Sequence, residues 1–408
     1  MAGSDLHPMS TTPTAGIYIH IPFCRSKCLY CDFYSLADRG EAMDRFVSCM
    51  VEEIHLAAGR ARNWCVDTVY VGGGTPSLLT PSHLEQILTA LQHELDLSRM
   101  VEFTLEANPG EAPEEKLRAF RGLGVNRLSV GFQSFDRTLL KFLGRRHDPR
   151  DCSVTFAAAR RAGFDNISVD LLFNIPGQTL QRWQSDLASL VELEPEHISA
   201  YSLTVEEGTA LHGMVAAGEV TMPPEEVDAA MYSWTREYLP EQGYPAYEIS
   251  NFARAGRACR HNLHYWRIEP CLGFGPAAHG FDGTRRTWNV RSLDEYMQRL
   301  EEGRLPVAGS EVLSASQRYN EKLAFGLRLS QGLSVIADLG YANVADFTRW
   351  YRDQLERWAA HLTLTGDRLR LQERGILVAD TIAADLMLEA NDSVPVPSPR
   401  LPTARAGS

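Results

Sequence analysis

The sequence predicts an α/β fold. A parallel sheet is wrapped by helices, as an open doubly wound sheet or a partial (β/α) barrel. A mostly helical accessory domain with a small β wing follows it. Three observations predict this. Six short β-type runs recur over about 200 residues, with amphipathic helical stretches between them. The rhythm breaks near residue 245. Helical periodicity returns after about residue 310.

The strands are expected at GIYIHI from Gly16, VDTVYVG from Val66, VEFTLEA from Val101, NRLSVG from Asn126, NISVDLL from Asn166 and HISAYSL from His197. Helical segments such as EAMDRFVSCMVEEIHLAAG and PSHLEQILTALQHEL separate them. This gives an α/β unit over residues 16–245, after a polar stretch, 1–15, expected to be mobile. Residues 246–305 carry aromatics, histidines and glycines without a period, and are expected to be a loop-rich segment packing on that unit. Residues 306–390 hold two helical runs and LTLTGDRLRLQ, a hairpin expected to turn at Gly366–Asp367. Residues 391–408 contain four prolines and little apolar bulk, the composition of a disordered tail.

Composition bounds the function. The net charge of −12 argues against nonspecific nucleic-acid binding. No apolar run is long enough for a membrane span. The first 16 residues lack a basic region followed by an apolar one, so no secretory leader is expected and the chain reads as cytoplasmic. Of eight cysteines, Cys24, Cys28 and Cys31 are clustered as C-x3-C-x2-C, whereas Cys49, Cys65, Cys152, Cys259 and Cys271 are scattered. In a reducing compartment such a cluster points to metal. Three thiolates can hold three irons of a 4Fe–4S cluster and leave the fourth iron open. The alternative is zinc, with a distant fourth ligand such as His20 or Cys65. Arg25 and Lys27 in the same loop either favour thiolates or are solvated charges. Gly72, Gly73 and Gly74 follow a strand, where consecutive glycines let a ligand approach the backbone.

The stretch YIHIPFCRSKCLYCDF resembles the signature of the radical S-adenosylmethionine (SAM) superfamily, in the branch related to oxygen-independent coproporphyrinogen III oxidase. The resemblance implies a partial (β/α)6 barrel whose open cluster iron binds SAM, and whose reduced cluster cleaves SAM to methionine and a 5′-deoxyadenosyl radical. VYVGGGTPSLL matches the family's loop around the methionine end of SAM, through Gly73, Gly74 and Thr75. Glu106 in LEANP falls where the family has a carboxylate near the SAM methionine and ribose. Tyr18, Gln133, Arg145 and Asp170 match SAM-contacting positions, and Thr204 a position near the adenine. Asn174 stands where the family usually has glycine before the proline of DLLFNIPGQT. Asn tolerates positive φ, so the turn is expected to survive.

CRHNLHYW, from Cys259 to Trp266, resembles the HNxxYW motif that separates HemW-type heme chaperones from the oxidase. The oxidase carries a fourth cysteine two residues after the third, and this chain has Phe33 there. The similarity extends over roughly residues 16–385. It implies heme as a further cofactor and heme-acceptor proteins, such as respiratory enzymes, as partners. It leaves room for peripheral membrane association through acceptors and for a homodimer. Residues expected at heme are His261 first, with Cys259, Asn262, His264, Tyr265 and Trp266, and His279 as a further axial candidate. Six arginines against Glu269 and Asp282 give residues 251–290 a local charge of +4, suited to propionates. The alternatives are the porphyrinogen oxidase and a radical SAM enzyme that opens the heme ring. The resemblance implies an architecture capable of reductive SAM cleavage with the chaperone role favoured, and the accessory domain is expected to cover the open side of the barrel or to contact a partner.

Overall fold

The computed structural model describes residues 14–61 and 64–389. The expected mobile residues 1–13 and tail 391–408 lie outside them. Residues 14 and 15 already belong to the first strand.

Six strands follow the expected runs: β1 (Thr14–Ile21), β2 (Cys65–Gly73), β3 (Glu102–Ala107), β4 (Arg127–Gln133), β5 (Ile167–Phe173) and β6 (His197–Ser202). They pair in chain order, each parallel to the next. The helices between them have readable causes. Helix Pro81–Glu94 starts on a Thr80 capping box with Pro at its first turn, and helix Pro149–Arg161 on an Asp148 capping box. Helix Met43–Ala61 buries Phe46, Val47, Met50 and Ile54, one face at helical spacing.

Alternation along the strands separates two environments. Leu128, Val130 and Phe132 of β4 join Val69, Val71, Phe103, Leu105, Ile167, Val169 and Leu171 in one core under the helices. The intervening residues Arg127, Ser129, Gly131 and Gln133 line a cavity instead. An apolar outer row and a polar inner row are what a strongly curved, barrel-like sheet requires. This decides between the two architectures left open by the sequence: the fold is a partial barrel-like sheet with a helical C-terminal region.

The segment 246–305 is more regular than expected. It contributes β7 (Asn251–Ala253), β8 (Cys271–Phe274), β9 (His279–Phe281) and β10 (Arg285–Asn289), and β11 (Val307–Val312) follows. β8 joins the other edge of β1 in parallel, and β9, β10 and β11 extend the sheet antiparallel from there. β7 pairs antiparallel with β6, so one sheet holds eleven strands. Most of these added strands are 3–5 residues long, too short for a period-2 pattern to stand out.

The accessory region has its own core, built by Leu323, Leu327, Phe347, Leu369, Ile382 and Leu386 among others. The hairpin Leu362–Thr365/Arg368–Leu371 turns at Gly366–Asp367 as expected, with Leu333–Ser334 as a third strand. The region packs on the barrel through Arg236–Glu373 at 2.9 Å and through Arg328 over the Trp266 ring at 4.7 Å. Among the described residues it gives nothing to the cavity wall, so it does not cover the open side of the barrel. Among the described residues no helix is long and apolar enough to cross a membrane.

Candidate cofactor cavity

A cavity of about 690 Å³ opens at the C-terminal ends of the parallel strands and runs down inside them. Its mouth is the loop after β1. Cys24, Cys28 and Cys31 all line it, partly exposed, and Phe33 is 63% exposed beside them. The loop is held by Leu29 N–H on the Leu143 carbonyl and by pairing of Phe23–Cys24 with Leu36–Ala37. Thr75 donates its hydroxyl to Cys24 Sγ at 3.5 Å. Burial nevertheless pushes the Cys24 and Cys31 thiols up. Arg25 and Lys27 do not reverse this: Arg25 is turned to Glu111 at 3.8 Å. The Arg145 guanidinium faces Cys28 and Cys31 and favours their thiolates, and a bound metal would add to that charge.

The distant fourth ligands considered for zinc are not in reach. His20 is buried with Nδ1 on the Tyr18 hydroxyl at 3.0 Å and Nε2 on the Tyr34 carbonyl at 2.7 Å. Cys65 begins β2, at the opposite end of the sheet. Among the described residues the trio whose ligand atoms all lie within 4.8 Å of one another is His55, His93 and Glu94. The three loop sulfurs are spread more widely. One tetrahedral ion with ~2.3 Å metal–sulfur bonds would draw them to within about 4 Å. The spread fits a cluster, where each thiolate meets a different iron.

Below the loop the cavity wall holds Gly73, Gly74, Thr75, Glu106, Gln133, Arg145, Asp170 and, at the rim, Thr204. Gly73 has a φ of 115°, and a Cβ there would stand 2.7 Å from the His20 ring. Glu106 accepts from Gly73 N–H at 3.1 Å and from the Tyr70 hydroxyl at 2.8 Å, and burial pushes its carboxyl up to about 7. Arg145 donates to Asn108 at 2.8 Å and to the Tyr30 hydroxyl at 2.8 Å, which leaves its Nε buried without a partner. Asn108 also donates to Thr75 at 3.1 Å. Asn174 takes a φ of 61°, so its turn is kept. Tyr18 is not in the wall. Its ring lies behind, stacked with Tyr70 and His261. The sequence reading missed Asn108 and Tyr30, although both lie inside the quoted LEANP and CLYC stretches. It also missed Arg127, whose signal was a charge inside an expected buried strand, NRLSVG.

The HNLHYW stretch forms helix Arg260–Trp266, set across the N-terminal ends of the strands as the floor of the barrel. Its first amides, of Arg260 and His261, donate to the buried Glu102 carboxylate at 2.9 and 3.0 Å, and Cys259 Sγ approaches the same group at 3.5 Å. His261 is 1% exposed. Its Nδ1 meets Thr68 Oγ1 at 3.0 Å and its Nε2 the Tyr265 hydroxyl at 3.2 Å, while burial pushes the imidazole down to about 3. Neither ring nitrogen is free for iron, and Cys259 is equally enclosed. Asn262 alone of this motif lines the cavity, and Tyr265 is 40% exposed on the outer side. Trp266 packs on Arg328 and Phe325. The arginines do not form one island: Arg254 lies on Tyr244, Arg257 faces Asp165, and Arg286 pairs with Glu311 and Glu321.

His264 is buried between Asp67 at 2.8 Å and Glu269 at 2.9 Å, and the two carboxylates outweigh its burial and raise it to about 9. An imidazole held above its unfolded value of about 6.5 stabilises the fold fully below that pH. The contribution is lost as pH rises through about 9. His264→Gln is therefore expected to cost about 1–3 kcal/mol at pH 6.5, after discounting for the half-exposed Glu269. The difference should vanish above pH 9 in denaturant titrations. A deficit that is the same at both pH values would contradict a charged His264.

Residues 18–190 match the model of the Radical SAM superfamily. The chain is 38% identical over 387 residues to the heme chaperone HemW of Mycobacterium tuberculosis, covering 94% of this chain and 97% of that one. It is 37% identical over 318 residues to the heme chaperone HemW of Bacillus subtilis, covering 78% and 84%. Its fold is similar to that of the Escherichia coli coproporphyrinogen III oxidase HemN, a radical SAM enzyme, with a TM-score of 0.79 at 20% identity over 92% of this chain and 91% of that one. Cysteine loop, glycine cradle and floor helix thus occur together in a chain that belongs to the HemW heme chaperone family of the radical SAM superfamily.

Proposed function

We propose that this protein binds heme and passes it to acceptor proteins, carrying a 4Fe–4S cluster on Cys24, Cys28 and Cys31 with SAM beside it. The observation that carries this reading is similarity over nearly the whole chain to proteins named heme chaperones. The exposed Phe33 favours it over the oxidase, which has a cysteine at that place. The spread sulfurs and the glycine cradle suit the cluster and SAM. When bound, that pair supplies one-electron cleavage of a carbon–sulfur bond. Gly73, Gly74 and Thr75 would receive the methionine end, Glu106 its ammonium group, and Arg145, Gln133 and Asp170 the polar remainder.

For heme, the imidazole best suited to iron is His279 rather than His261. His279 is exposed on β9, its ring lies over Trp288, and no hydrogen bond from a described residue engages its nitrogens. Partial desolvation on its inner side and the nearby Arg286 lower its pKa, which favours the neutral form that a ligand must have. His261 and Cys259 then frame the floor helix.

Heme titration of the cluster-loaded protein should saturate at one per chain. His279→Ala should weaken binding at least about 10-fold and move the Soret band, since an axial bond exceeds the 1.4 kcal/mol that a decade represents. His261→Ala should keep the band. Absence of saturable binding would sink the chaperone reading, and vinyl products from coproporphyrinogen with SAM and a reductant would replace it with the oxidase.

A further inference from the structure

The bottom of the cavity holds a buried cation that no carboxylate meets in a hydrogen bond. Arg127 opens β4, is 2% exposed and lines the cavity. Its Nε is buried without a hydrogen-bond partner, and the Glu102 charge acts on the guanidinium through space rather than in a hydrogen bond. The nearest candidate, Glu102, is already occupied by the floor-helix amides of Arg260 and His261. Desolvating a guanidinium costs several kcal/mol unless an anion meets it.

Glu102, Glu106 and Asp170 act on the guanidinium through space, but each is hydrogen-bonded elsewhere. Asn262 reaches the same cavity from the floor helix, and its side-chain amide bonds to no described residue. His197 also lines the cavity, but both its nitrogens are taken, by Ser168 Oγ at 2.8 Å and the Tyr247 hydroxyl at 2.9 Å, and it is neutral. The carboxylates that share the cavity stand further up. Asp170 is level with Gly131, four residues along β4 from Arg127, and is bonded by Ser129 at 3.3 Å. Glu106 is tied to Tyr70 and Gly73.

We propose that Arg127 and Asn262 form a binding site for the carboxylate of a small organic acid, held on the barrel floor beneath SAM and separate from it. Gln133, assigned above to SAM, ends the strand that Arg127 begins. At ~3.3 Å per residue the two Cα atoms are about 20 Å apart, too far for one carboxylate to serve both ends. A planar guanidinium beside an amide donor grips a carboxylate through paired N–H bonds. This inference rests on SAM occupying the upper cavity but not on heme binding.

The test uses cluster-loaded protein and acetate as the probe, read by thermal midpoint, with chloride at equal ionic strength and phosphate as comparisons. Acetate should raise the midpoint saturably, with and without saturating SAM. Arg127→Met should weaken acetate at least 10-fold, Arg127→Lys should recover part of it, and heme titration should be unchanged in both. The proposal is overturned if chloride matches acetate, if phosphate alone protects, if SAM abolishes the acetate effect, or if a folded Arg127→Met responds as wild type. A failure of heme binding with the acetate effect intact would count against the chaperone reading only.

Discussion

Cys28→Ser is expected to reduce iron from about four per chain to less than one after anaerobic reconstitution, and to remove the brown colour. Three thiolates are the whole protein ligand set offered by the loop. His20 and Cys65 cannot replace a lost one, being hydrogen-bonded in place or at the other end of the sheet. Cys152→Ser serves as the control. Cys152 is buried in helix Pro149–Arg161 and points its thiol at the Asp148 carbonyl, a bond that serine also makes. Iron and sulfide analysis checks both variants. Retention of wild-type iron by Cys28→Ser would mean that the cluster is held elsewhere.

Gly74→Ala is expected to reduce SAM affinity by about 100-fold or more, roughly 3 kcal/mol, read by calorimetry on cluster-loaded protein. A Cβ at Gly74 would lie 2.6 Å from the Phe23 carbonyl oxygen and 3.0 Å from that of Ile21. Both are backbone atoms and cannot rotate away. Gly74 N–H donates to that same Ile21 oxygen at 2.8 Å, so relieving the clash breaks the bond that joins the two loops. The displaced segment leads straight into Cys24. The variant should therefore also bind its cluster less tightly, which separates it from a substitution that only blocks the ligand. Unchanged SAM affinity would remove the glycine loop from the cofactor site.

The strands and the cysteine loop were legible because their signals are local. β1 to β6 fall within about two residues of the expected runs. The polar inner row was legible residue by residue, in Glu106, Gln133 and Asp170, but not as a row. Two things were hidden. Strands of 3–5 residues in the aromatic segment carry no period, so the antiparallel extension read as loops. The direction of a side chain across the barrel is a tertiary fact. CRHNLHYW looked like a ligand set because its residue types bind iron, yet Glu102, Thr68 and Asp67 claim its histidines and its first turn. Arg127 passed as part of a strand because nothing in NRLSVG says that its neighbours leave it unpaired.

The position of β1 between β2 and β8 also bears on how the protein is made. Gly16 pairs with Cys271, so the strand that carries the cysteine loop acquires its second neighbour roughly 250 residues after it leaves the ribosome. At ~5–20 residues per second that wait lasts about 10–50 s. Throughout it the nascent chain presents three uncapped thiols on an unfinished sheet edge, exposed to oxidation and mispairing. The yield of iron-loaded protein is therefore expected to fall as oxygen tension during translation rises, which iron analysis per chain would read.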